Sequence, residues 1–130
     1  ELTETMVFEN PQAFTQVIEH IHQAGFLCSM DDFGSGYSSL NILKDLDVDV
    51  LKLDRAFFSA ENMDDPRECT VVHSVVDLAR DLQMHTVAEG VETKPQETFL
   101  RRTGCDMVQG FVFSRPLPVS EFEELVWPSR

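Results

Sequence analysis

Positive charge is scarce in this sequence. Ten Lys and Arg stand against 23 Asp and Glu, a formal net charge of −13 over 130 residues, with a pI near 4.5. No basic stripe offsets that balance locally, so the surface repels a nucleic-acid backbone and no nucleic-acid partner is expected. Long hydrophobic runs are missing as well. The apolar stretches are a few residues each, far short of a bilayer span, and nothing at the N-terminus reads as a signal peptide. Cysteine is sparse and odd in number: Cys28, Cys69 and Cys105 lie far apart with no Cys-x-x-Cys pair. Free thiols in a reducing cytoplasm are the expectation, rather than disulfides or a thiolate cluster. His20 and His22, two residues apart, point to different faces of a helix, and His73 and His85 are isolated. A histidine metal site is therefore not expected. Internal repeats, low-complexity tracts and linkers are also absent.

What remains is an ordinary globular composition, with 42% apolar residues, enough for one domain with a core and too little for two. Short apolar runs alternate with amphipathic stretches. Asn10-Pro11 is a helix start, Phe14, Val17, Ile18 and Ile21 follow at helical spacing, and Gly25 ends the segment. Phe26 to Met30 reads as a buried strand stopped by Asp31-Asp32. Ser38 to Leu46 is a short helix and Val48 to Asp54 the next strand. Asp65, Pro66 and Glu68 form a capping box. Val72, Val75, Val76, Ala79 and Leu82 then share one helix face. His85 to Ala88 is a strand, Thr93 with Gln96 caps a helix that Gly104 closes, and Asp106 to Val108 is the last strand. Ser120 with Glu123 caps a terminal helix. Strand–helix alternation predicts an α/β fold with a parallel sheet. Periodicity alone leaves open whether that sheet is a barrel wall or an open doubly wound sheet.

Polar residues recur at the ends of the apolar strands. Asp31-Asp32 ends the first, Lys52 lies near the end of the second, Glu89 ends the third and Gln109 the fourth; Glu1 and Glu4 sit where a preceding strand would end. Parallel strands finish on one rim, so these side chains gather at one mouth. Each has a plainer reading: a solvated turn for the Asp pair, an edge position for Lys52, helix N-terminal charges for Glu89 and Glu92, a satisfied amide for Gln109. Their repetition is the signal. Glu1, Asp31, Asp32 and Glu89 are oxygen donors of the kind that hold magnesium or manganese. Unpaired, such carboxylates repel and raise one another's pKa, which paired cations relieve. Two ions about 3.5–4 Å apart can activate a water and clamp a phosphodiester, with a lysine and a spare carboxylate assisting.

Asp32-Phe33-Gly34 spells the magnesium-holding triplet of protein kinases. A kinase, however, needs a Gly-rich phosphate loop, a lysine upstream of that Asp, and further signatures that are missing here. A receiver domain is a nearer alternative, but it needs a phosphoacceptor Asp ending a strand between the Asp pair and the Lys. No strand-end Asp lies between Asp32 and Lys52.

Taken together, the blocks resemble the EAL domains that hydrolyse cyclic di-GMP. "ELTE" at Glu1–Glu4 resembles that family's ExTE motif, and "DDFGSGYSSL" its DDFG(T/S)G loop. "VDVLKLDRAFF", "VAEGVET" and "QGFVFSRPLP" are similar to its next three blocks, in order. The resemblance implies a (β/α)8 TIM-type barrel of which this chain is the second, C-terminal half, with a strand-end active site. The Glu-Ala-Leu motif and the downstream Asn ligand precede ExTE in the family and are absent, so little activity is expected of this chain alone. By position, Glu1 is implied to ligate a first metal, Asp31 to ligate or bridge the pair, and Asp32 to serve the second. Lys52 would contact the attacking water, and Glu89 would be second-site ligand or general base. Glu92 and Gln109 would support the metal waters and substrate, and Arg55 a phosphate or structural contact. Glu4, Gly34 and Gly36 would support the loop from Asp31 to Ser39, where the family dimerises. The implied cofactors are two Mg2+ or Mn2+ ions, and the implied ligand is cyclic di-GMP, opened to linear pGpG. The implied setting is the bacterial cytoplasm. A missing N-terminal half, a sensory or GGDEF domain and an upstream membrane anchor are implied for the parent protein. A non-catalytic cyclic di-GMP receptor is the alternative from another class; retention of Glu1, Asp31, Asp32, Lys52 and Glu89 argues against it.

Overall fold

Asn10 opens the first helix as its sequence predicts, its side-chain oxygen accepting the Ala13 N–H at 3.2 Å. The structure, a computed structural model, describes residues 1–3, 9–34, 40–58 and 65–128. The described elements run β1 (Leu2–Thr3), α1 (Pro11–Gln23), β2 (Ser29–Phe33), α2 (Leu40–Asp45), β3 (Val50–Leu53), a 3₁₀ turn (Arg55–Phe57), α3 (Pro66–Asp81), β4 (His85–Glu89), α4 (Lys94–Thr103), β5 (Met107–Gln109) and α5 (Val119–Val126). Thr93 and Gln96 form the predicted reciprocal capping box of α4, and Gly104 closes that helix in the left-handed conformation.

Strand order decides what periodicity left open. The sheet runs β1-β2-β3-β4-β5 with every neighbouring pair parallel. A doubly wound sheet reverses its strand order at a switch point; none occurs here. Right-handed crossovers between sequential neighbours leave the helices on one face, the arrangement of a barrel wall. Met30, Leu51, Leu53, Ala88 and Val91 are fully buried under Ile18, Val72, Val76, Ala79 and Leu100. No described helix is long and apolar enough to cross a membrane.

Four sequence expectations need correction. The strand expected over Phe26–Met30 runs from Ser29 to Phe33 and passes through the Asp pair, while Phe26 and Leu27 are 69% and 77% exposed. Pairing of Ser29 and Met30 with Val50 and Leu51 decides where the ladder begins, and an apolar run carries no information about its partner's register. Val17 is half-exposed: the inward stripe of α1 is Phe14, Ile18 and Ile21, and Val17 lies on its flank. Asp65 caps α3 by accepting the Arg67 N–H at 2.8 Å, one residue earlier than a capping box places it. Helix α5 begins at Val119 after Pro118, with no side-chain cap, so Ser120 lies inside its first turn.

The rim at the strand starts is held by carboxylates. Asp49 Oδ2 accepts the Cys28 N–H at 2.6 Å and meets His22 Nε2 at 2.8 Å. Asp106 Oδ2 accepts both the N–H and the hydroxyl of Thr86, at 2.8 and 3.0 Å. These ties fix strand stagger on the face opposite the polar strand ends. All three cysteines are free.

Candidate active site

Strand alternation aims the polar residues of β2, β3 and β4 at one mouth. Lys52 stands between the buried Leu51 and Leu53, so it faces away from the side they pack into. Its ammonium lies 2.7 Å from Glu1 Oε1, 2.7 Å from Glu89 Oε1 and 3.4 Å from Asp31 Oδ1. One carboxylate oxygen each from Asp31, Asp32 and Glu89 lies within 4.8 Å of the others. Residues 58 apart in the chain thus share one polar pocket.

The Asp pair is presented by unusual backbone. Asp32 has a φ of 56°, in the left-handed region that few non-glycine residues occupy. The β2–β3 ladder slips between Met30 and Phe33, a bulge that turns the strand end. Asp31 Oδ1 accepts the Asp32 N–H at 3.0 Å.

Proton affinities follow from this crowding. Burial pulls the Lys52 ammonium down, but its hydrogen bonds to Glu1 and Glu89 and the Asp31 charge outweigh that and raise it. Burial raises Glu89, the neighbouring Asp31 adds to the rise, and Lys52 opposes it. Burial also acts upward on Asp31, yet hydrogen bonds from Glu89, Lys52 and the Asp32 N–H leave it below the usual carboxylate range. The two neighbouring carboxylates thus differ in proton affinity, Glu89 standing above and Asp31 below the usual carboxylate range.

Three carboxylate oxygen donors within 4.8 Å of one another, with no thiol or imidazole among them, fit a hard divalent cation. Glu1, Lys52 and the three carboxylates of the sequence expectation are thus brought together. Gln109 lies at the adjoining strand end, in register with Glu89, but is exposed. Glu92 is exposed, and its N–H donates to Gln96 Oε1 at 2.8 Å. Arg55 packs its stem against Gly90: a Cβ added there would stand 3.2 Å from Arg55 Cβ. Gly34 is described, while Glu4 and Gly36 lie outside the described residues.

Sequence reasoning missed how the strand-end loops lock together. A Cβ on Gly110 would stand 2.1 Å from the Val91 carbonyl oxygen, and Val91 N–H donates to Gln109 O at 3.1 Å. A Cβ on Gly34 would stand 1.8 Å from the Phe57 ring. The available signal was a glycine beside three of the four polar strand ends: Phe33-Gly34, Glu89-Gly90, Gln109-Gly110.

A sequence model of the EAL domain family matches residues 1–116. The chain belongs to the EAL domain family. Among EAL relatives, the cyclic di-GMP phosphodiesterase NbdA of Pseudomonas aeruginosa is 41% identical over 129 residues, covering 97% of this chain and 16% of NbdA. The MucR phosphodiesterase of the same organism, solved in complex with c-di-GMP, is 39% identical with a TM-score of 0.81; the match covers 93% of this chain and 49% of that one. BlrP1 of Klebsiella pneumoniae, solved with manganese and cyclic di-GMP, is 36% identical with a TM-score of 0.77, over 88% of this chain and 29% of that one. The chain therefore spans about half of the solved MucR chain and a smaller share of NbdA. The EAL likeness agrees with five parallel strands in sequence order, part of a TIM-type barrel.

Proposed function

We propose that this chain is the C-terminal portion of an EAL domain and forms the metal-bearing rim of a phosphodiesterase that opens cyclic di-GMP to linear pGpG. The observation that carries the reading is the gathering of Asp31, Asp32 and Glu89 oxygens within 4.8 Å beside the Lys52 ammonium. The substrate is drawn from NbdA and from the c-di-GMP complex of MucR, and the metal class from manganese-bound BlrP1.

In this reading Glu1 and Asp31 would hold one Mg2+ or Mn2+ and Asp32 the second, with Glu89 either a further ligand of that second ion or the general base. Ions held there would acidify a bound water and offset charge on the phosphodiester. Lys52 stays protonated and orients that water while stabilising negative charge on phosphate oxygens. As the general base, Glu89 would take the proton released as the water attacks. Glu92 and Gln109 stand on the same rim as secondary contacts to waters and substrate. Dimerisation through the loop after Asp32, and sensory or GGDEF domains upstream, belong to the same proposal. The length of NbdA and MucR, of which the match covers 16% and 18%, supports further domains.

In the intact protein with Mg2+ or Mn2+, cyclic di-GMP should be converted to pGpG, read by chromatography. Glu89→Ala should lower turnover by roughly 10²–10⁴-fold. Wild-type turnover in that variant would remove the catalytic assignment.

A further inference from the structure

We propose that Phe57 is a positioning residue for Asp32: its ring, clamped on Phe33–Gly34, holds the strained strand end that aims the Asp32 carboxylate at the metal site. Because Asp32 matters here as a ligand, this stands on the metal-dependent reading above.

Lys52 grips Glu1, Asp31 and Glu89. Among the described residues no cation grips Asp32, so its own backbone aims it. That backbone is left-handed at φ 56° and sits in the slip between Met30 and Phe33. A strained conformation persists only where its surroundings over-determine it. The surroundings here are the 3₁₀ turn after β3. Phe33 rejoins the ladder beside Leu53, and its carbonyl accepts the Asp54 N–H at 3.1 Å. The Phe57 ring stacks on Phe33 with centroids 5.8 Å apart and planes 11° from parallel. The edge of that ring fills the space beside Gly34 so closely that a Cβ there would stand 1.8 Å from it.

The turn is itself anchored. Asp54 Oδ1 accepts the Ala56 N–H at 2.8 Å, Asp54 O accepts the Phe57 N–H at 3.0 Å, and Phe58 is fully buried. Its other side touches the second carboxylate-bearing strand end, where Arg55 packs on Gly90, the residue after Glu89. The turn therefore stands as a spacer between the Asp pair and Glu89. A metal site needs its ligands held to about 0.5 Å, and Phe57 is the part of the spacer that packs on Phe33 and Gly34, the two residues that follow Asp32.

The test is a titration of the intact protein with Mn2+, reading free Mn2+ by electron paramagnetic resonance, with folding followed by circular dichroism. Phe57→Leu should raise the Mn2+ dissociation constant roughly tenfold, as loss of an outer-shell support does, while the fold is kept. Phe57→Tyr, which keeps the ring, should bind as wild type. Gly34→Ala should weaken binding both by pushing the ring away and by straining a backbone left-handed at φ 95°, and the part owed to the ring should be lost in the Phe57→Leu background. Where Phe57→Leu does not fold, Phe57→Met, which also removes the ring, carries the same readout. Wild-type binding by Phe57→Leu, equal losses in Phe57→Leu and Phe57→Tyr, or losses that only track unfolded protein overturn the proposal and leave the metal reading standing. A wild-type protein that takes up no Mn2+ overturns both.

Discussion

Lys52 Nζ is a single ammonium facing three carboxylates, and its side chain is only 12% exposed. Its removal leaves Glu1, Asp31 and Glu89 to repel one another at neutral pH. Lys52→Met should destabilise the metal-free protein by about 2 kcal/mol, between the values for exposed and buried ion pairs. Mn2+ should recover more of the melting temperature in this variant than in wild type, since a cation then replaces the lost charge; thermal melting with and without Mn2+ at pH 7 checks it. Asp49 is a second decisive residue, at the opposite rim. Burial acts upward on its carboxyl, but the Cys28 N–H and His22 hold it below the usual range. A depressed folded value stabilises above the unfolded pKa of about 3.9 and is lost as pH falls through the folded value. Asp49→Asn should cost about 1–2 kcal/mol at pH 7, the worth of charged hydrogen bonds, and less as the pH drops below about 3.9. Urea unfolding at neutral and acidic pH measures the difference.

At the scale of elements, the strand-end loops behave as one belt. Gln96 Oε1 accepts the Glu92 and Thr93 N–H groups at 2.8 and 3.0 Å, which fixes the β4–α4 loop behind Glu89. Val91 then joins that loop to the end of β5 through Gln109 O and Gly110. No side chain fits at position 110, because the obstacle is the Val91 backbone rather than a movable side chain. Gly110→Ala should therefore destabilise by about 2 kcal/mol or more, and urea unfolding gives the value. Helix starts at Asn10, Asp65 and Thr93 were legible because capping is local, set by a side chain and amides within three residues. The start of β2 and the belt were not, because ladder register and glycine contacts join segments distant in sequence.

For the whole molecule, charge and apolar surface act against each other. The net charge of −13 keeps copies apart. Yet the exposed Phe111, Phe113, Phe122, Leu125 and Val126 line one open apolar groove between the segment after β5 and α5. Apolar patches of this kind favour association. The chain should sediment as a smaller species at neutral pH and low salt, and associate as salt screens the charge or as pH approaches 4.5. Static light scattering across salt and pH gives the outcome.

Residue chemistry, local caps and the rhythm of strand and helix were decided by the sequence itself, since they depend on side-chain type and near neighbours. So was the presence of a carboxylate, a lysine or a glutamine near each strand end. Tertiary structure alone decided the rest: a sequential strand order that makes a barrel wall, how closely Asp31, Asp32 and Glu89 converge, the reach of Lys52 to three acids, and the turn that wedges Phe57 against Phe33 and Gly34. These depend on which distant segments pair and in what register, and that is settled by the summed packing of the sheet rather than by any stretch of chain alone.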